Sequence, residues 1–185
     1  MPTTLKTLFI LVLSVFINHK VSSQADWAYD FQKLLRTPLN QLDEATIRKV
    51  MFDKINNIRR QHGLHELEYN TDLEEIATDF AKEKNNKDWW NEKYPHNNSK
   101  WRSPARRIYE SPYWDKLELI KIWNSVYWVE ENLVTCNNTI YDQMESLMNS
   151  PWHKKAILSE HVNSIGIGYK KGNTTLVQLF ANMKK

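Results

Sequence analysis

One cysteine and four glycines in 185 residues set the first limits on what this chain can be. With Cys136 alone no intrachain disulfide can form, so stability has to come from packing. The surrounding Thr135-Cys136-Asn137-Asn138-Thr139 shows neither a helix start nor a neighbouring base, which argues against a cysteine nucleophile. Gly166-Ile167-Gly168 lacks the third glycine of a dinucleotide fingerprint, and so few glycines cannot build a phosphate-cradling loop. His65-Glu66 is not followed by the second histidine of a zinc-protease helix, and there is no Gly-x-Ser-x-Gly elbow. Downstream of residue 17 no apolar run approaches the ~20 residues a bilayer span needs, so a mature chain without a transmembrane span is expected.

Charge of one sign is scarce as well. The formal net charge is +3, and residues 1–23 hold Lys6, Lys20 and no acid, so it falls to +1 once they are removed. No large cationic field remains to attract nucleic acid. Those 23 residues read as a secretory signal peptide: basic Lys6, an apolar run from Leu8 to Ile17 broken only by Ser14, then Val21-Ser22-Ser23 before the cut, with Ala25 as the competing site. A secreted or periplasmic protein is expected, with a lead-in segment over 24–42 and one domain over 43–185. Local charge is uneven, acidic from Glu66 to Asp79 and basic from Lys100 to Arg107, and two solvated faces account for it most simply.

Periodicity places the elements. Ile47, Val50, Met51, Ile55 and Ile58 share one face of a helix that begins at Asp43 and is stopped by Gly63. A second helix starts at Thr71, whose spacing to Glu74 suggests a capping box, and runs to Asn85-Asn86. Residues 87–112 read as a long loop carrying His96. Ile122 to Val134 reads in part as a strand, and Tyr141 to Met148 as a third helix. Ser150-Pro151 opens a short helix, and Ile165 to Tyr169 pairs with Leu176 to Ala181 across a turn at Lys171-Gly172-Asn173. Helices and antiparallel strands interleave, so the class is α+β.

The short helix fixes His153 in its first turn, where the helix N-terminus disfavours imidazolium and leaves a neutral ring able to accept a hydrogen bond or bind a metal. Seven tryptophans from Trp89 to Trp152 are interleaved with Lys100, Arg102, Arg106 and Arg107; core packing explains most of them, and flat faces for a glycan are the alternative.

Ile55-Asn56-Asn57-Ile58-Arg59-Arg60-Gln61-His62-Gly63-Leu64, then Leu67-Glu68-Tyr69-Asn70 and the alanine-bearing second helix, resembles the opening of the CAP superfamily, also called the SCP domain family. The ending Asn149-Ser150-Pro151-Trp152-His153-Lys154-Lys155-Ala156-Ile157-Leu158, followed by Ile165-Gly166-Ile167-Gly168, is similar to the version common in bacterial, cysteine-poor members. The resemblance implies a three-layer α/β/α sandwich with a central antiparallel sheet. It also implies a cleft carrying two histidines and one or two acids. His153 matches the second histidine, Glu131 the acid of the family's Gly-Glu-Asn motif, and His96 is the best positional match for the first histidine. The motif glycine is Glu130 here, and Leu147 and Ser150 replace the later tryptophan and second acid.

Two imidazoles and a carboxylate are a suitable open set for Zn²⁺ or another divalent ion, with His96 and His153 as ligands and Glu131 as a further candidate. A hydrogen-bonded cleft without metal is the equal alternative. The expectation is therefore an exported binding or interaction module for a small ligand, a lipid or glycan, or an envelope or host protein. The competing reading is a metal-dependent hydrolase in which Glu131 is ligand or general base.

Overall fold

The computed structural model describes residues 30–85, 94–100, 102–123, 126–135 and 138–184, the side chains of 121–123 and 126 excepted. The expected signal peptide, Cys136, Trp89, Trp90 and Trp101 lie outside the described residues. Helix α1 is described over 30–36 and drives Phe31 and Leu35 into the core, so the lead-in segment packs on the domain it precedes.

Helix α2 (Glu44–Gln61) starts where Asp43 accepts the Thr46 N–H at 2.7 Å. It ends at Gly63, whose φ of 72° is the left-handed conformation that closes a helix most easily as glycine. Strand β1 (Glu68–Tyr69) leads directly into α3 (Thr71–Lys84). The cap of α3 is Asn70, which accepts the Leu73 N–H, and the expected Thr71–Glu74 box does not form. Glu74 is drawn elsewhere, to the Tyr69 hydroxyl at 2.5 Å and the Arg48 guanidinium at 3.0 Å. Within the expected loop a further helix, α4 (Pro104–Tyr109), is capped by Ser103.

The strand expected within 122–134 is replaced by three strands in two sheets. Strands β2 (Lys121–Trp123) and β3 (Val126–Tyr127) form a small hairpin, and β4 (Val129–Thr135) joins the main sheet. Helix α5 (Ile140–Asn149) opens with a reciprocal capping box between Thr139 and Asp142. Ser150 donates its N–H to the Leu147 carbonyl and so closes α5; its hydroxyl does not cap α6 (Pro151–Ile157), which starts on Pro151. Strands β5 (Ser164–Gly168) and β6 (Thr175–Ala181) complete the sheet in the order β1-β5-β6-β4. The β4–β6 and β5–β6 pairs are antiparallel as expected, whereas the two-residue β1 joins β5 in parallel, making the sheet mixed.

Strand alternation sorts the core into two layers. Ile165, Ile167, Leu176 and Phe180 face α1, α2, α5 and α6, while Val177, Leu179 and Ala181 face α3 and α4. This is the α/β/α sandwich. Gly166 and Gly168 point at α3 with no room to spare: an added Cβ would lie 2.2 Å from the Glu74 nitrogen and 2.1 Å from the Ala77 carbonyl carbon. Buried Arg59 ties α2 to the far end of α6, donating to the carbonyls of His65, Ile157 and Ser159 at 2.8–2.9 Å.

Candidate functional site

Strand β4 is an edge strand of the sheet, and consecutive residues on it face opposite layers. Glu131 is paired in register with Leu179 and turns toward α3 and α4; Asn132 is paired with Gln178 and turns toward α2, α5 and α6. The site is built on these two side chains.

Glu131 is fully enclosed, its side chain 1% exposed. Its Oε1 accepts from His96 Nδ1 at 3.0 Å, and its Oε2 accepts from the Arg107 guanidinium in a short, charge-assisted contact. An ionised carboxylate can only accept, so this bond places a His96 proton on Nδ1; in the neutral ring the lone pair is then on Nε2. Arg107 also donates to the His96 carbonyl at 2.6 Å and the Arg102 carbonyl at 3.2 Å, so one guanidinium fixes both the carboxylate and the segment that carries His96. That segment is folded on Asn98, whose Oδ1 accepts the N–H groups of Lys100 and Arg102.

The Arg107 guanidinium carbon lies over Phe80, 3.6 Å from the ring centroid, which supplies a cation–π floor where water is excluded. The Lys84 ammonium is 5.3 Å from the same ring. Burial lowers the Lys84 pKa, nearby Glu131 opposes that shift, and Arg107 adds to it. Burial likewise lowers the Arg107 pKa, against the pull of Glu131.

His153 approaches from the other layer. Asn132 donates to its backbone carbonyl at 3.1 Å and to Gln178 Oε1 at 3.1 Å, which anchors the first turn of α6 to the sheet. The His153 ring makes no hydrogen bond among the described residues. Its pKa is lowered, first by burial and then by the facing His96. The neutral state expected from the helix terminus thus has a different main cause, desolvation. An open pocket of about 390 Å³ borders His153 between the end of β4 and α5.

The structure therefore brings His96 and Glu131 into contact and sets His153 across the strand edge from them. As a metal centre the set is incomplete. Glu131 spends both oxygens on protein partners, one of them a cation, and among the described residues no three His, Cys, Asp or Glu side chains converge as ligands. Catalytic zinc sites use three protein ligands, so the donors among the described residues do not by themselves complete a hydrolytic zinc centre.

In sequence Arg107 reads as part of a solvated basic face. Arg102 and Arg106 do pair with exposed Glu110, but Arg107 and Ile108 are buried. The signal was Ser103-Pro104, a cap followed by proline at the first helical position. Of the tryptophans, Trp114 packs edge-on against Tyr109 and Tyr127, Trp128 lies against His161, and Trp152 is 81% exposed.

Solved structures share this fold at low sequence identity. An outer surface protein of Borrelia burgdorferi aligns with a TM-score of 0.57 at 20% identity, over 77% of this chain and 97% of that one. An extracellular protein of Bacillus anthracis containing an SCP domain gives a TM-score of 0.58 at 18% identity, over 76% of this chain. A cysteine-rich secretory protein of Staphylococcus aureus gives 0.56 at 15% identity, over 75%. The alignments span only 44% and 38% of the last two proteins. No curated protein matches the chain in sequence. The cysteine-rich secretory protein family, CAP, matches residues 52–180, and the chain belongs to that family.

Proposed function

We propose that this is an exported CAP-domain binding module whose cleft at His96 and His153 holds a small ligand, with Glu131 as an internal strut. The observation that carries the reading is the double engagement of Glu131 by His96 and Arg107. A general base needs a lone pair aimed at water, and a metal ligand needs one aimed at the ion; here both carboxylate oxygens already serve to hold the cleft in shape. His96 Nε2 and the His153 ring are the groups left to meet a ligand. Export is supported by the signal-like residues 1–23, and no described helix is long and apolar enough to cross a membrane.

A second reading is favoured by one contact. Carboxylates commonly orient metal-binding imidazoles from outside the ligand set, as Glu131 orients His96. A divalent ion on the two imidazoles alone would then be bound weakly, with water in its remaining positions.

Calorimetric titration of zinc into the protein and into a folded His96→Ala/His153→Ala variant, run beside ester and peptide hydrolysis assays, tests both. Absence of turnover is the expected result, and saturable zinc binding that is lost in the double variant would favour the second reading. Turnover that disappears in a folded Glu131→Gln variant would overturn the binding-module reading in favour of a hydrolase.

A further inference from the structure

An open pocket of about 550 Å³ lies against the exposed side of α6, and none of His96, Glu131 and His153 is in its walls. Pro151, Lys154, Lys155 and Leu158, which recur at helical spacing, supply one part of the lining. Trp128 and Glu130 at the sheet edge, with Glu160 and His161 in the turn after α6, supply another. The Trp128 indole is held in two ways: its Nε1 donates to Glu130 Oε1 at 3.0 Å, and its ring lies 3.9 Å, centroid to centroid, from that of His161. These groups are within reach of a ligand, since Lys154, Lys155, Glu160 and His161 are exposed and Trp128 and Glu130 are half-buried. The two lysines and the two glutamates form no ion pair among the described residues, and Glu130 Oε2 accepts no hydrogen bond from them. Glu130 also stands where the family motif has glycine, so this carboxylate is the chain's own addition to the pattern.

We infer that this pocket is a second binding site, separate from the cleft, for a neutral sugar ring that rests on Trp128 while its hydroxyl groups meet Lys154, Lys155, Glu130 and Glu160. The lining selects the class. Two ammonium groups offer only donors and two carboxylates only acceptors, whereas a hydroxyl does both and can answer each in turn. Because the two signs balance, a ligand of fixed charge would be drawn by one pair and opposed by the other. The weakly positive C–H face of a pyranose with equatorial hydroxyls complements the negative face of an indole, and an indole already fixed by Glu130 and His161 loses little freedom when the ring settles on it. A volume of about 550 Å³ is in the range of small-ligand clefts and holds more than one such ring. A free sugar and a unit of a longer glycan present this same chemistry.

The Trp128 indole N–H resonance of ¹⁵N-labelled protein reports on the site during titration with methyl β-D-glucopyranoside, cellotriose, anionic trigalacturonic acid and zwitterionic triglycine. Expected is a saturable shift with the two neutral sugars and none with the charged probes; equal affinity for both sugars identifies a single-ring ligand, and tighter binding of cellotriose a glycan chain. In Lys154→Ala/Glu160→Ala the affinity should fall at least about ten-fold, and because both side chains are exposed the melting temperature reports whether the fold is kept. Trp152, 81% exposed and outside the lining, is the control: Trp152→Ala should bind as the unaltered protein does. No shift with either sugar, an equal shift with triglycine or trigalacturonic acid, equal affinity in the folded double variant, or loss of binding in Trp152→Ala would each overturn the site. Sugar binding should persist in His96→Ala/His153→Ala, so this inference and the reading of the cleft fail separately.

Discussion

Arg107 and Glu131 meet beneath the cleft with side chains 6% and 1% exposed, so neither charge has water as an alternative partner. Removing one strands the other in a low-dielectric setting. Arg107→Met is expected to destabilise the fold by about 3–5 kcal/mol, with Arg107→Met/Glu131→Leu recovering part of the loss because the two buried charges are removed together. Chemical denaturation of both variants checks this; equal losses in the two would show that the stranded charge is not the cause.

The start of α3 separates two neighbouring side chains. Asn70→Ala removes the bond to the Leu73 N–H and should lower stability by about 1 kcal/mol, whereas Thr71→Ala should change it by less than about 0.5 kcal/mol. Thermal melts of the pair decide between the observed cap and the Thr71–Glu74 box that the spacing suggests.

Gly166→Ala and Gly168→Ala each place a methyl group inside the α3 backbone, which cannot swing aside as a side chain can. Losses above about 3 kcal/mol are expected, at the upper end of overpacking costs. Gly172→Ala meets open space and should show only the smaller cost of a positive φ, 91° at that residue. Circular dichroism and denaturation of the three variants check the ranking.

Much of the architecture was legible because it rests on local periodicity. The apolar stripe of α2, the alternation through β5 and β6, and the stop at Gly63 are all written in the order of residue types. The site was legible only in part. His96, Glu131 and His153 could be singled out through motif resemblance, but the partner of Glu131 is set by tertiary burial. Nothing in Arg102, Arg106 and Arg107 as a run of cations says that the third is enclosed over Phe80 while the first two meet solvent. The cap of α3 was misjudged for a related reason: Asn70 precedes the residue whose spacing fits the box. Ser150 does stand at the N-cap of α6, as its place before Pro151 suggests, but without a side-chain bond.

The lowered pKa of His153 carries a sign. As pH falls, the unfolded chain takes up this proton near the ordinary value of about 6.5, while the native ring resists it until a lower pH. The stabilisation from neutral His153 is therefore complete above about pH 6.5, declines below it, and is gone once pH passes the native value. Denaturation between pH 7.5 and 4.5 should show a shallower loss of stability in His153→Gln than in the unaltered protein; identical slopes would mean that His153 does not contribute.

The contact between α3 and β5 works as a gauge. From Gly166 to Gly168 the strand advances about 6.6 Å, and from Leu73 to Ala77 the helix advances about 6 Å, so one helical turn is matched to one strand dipeptide. The match allows neither a slip nor a rotation of α3. Phe80 is the next turn along, and on it rests the guanidinium that holds Glu131 and the His96 segment. The height of the cleft is thus measured off from two glycines on a different strand, and a single methyl added there would be felt at His96.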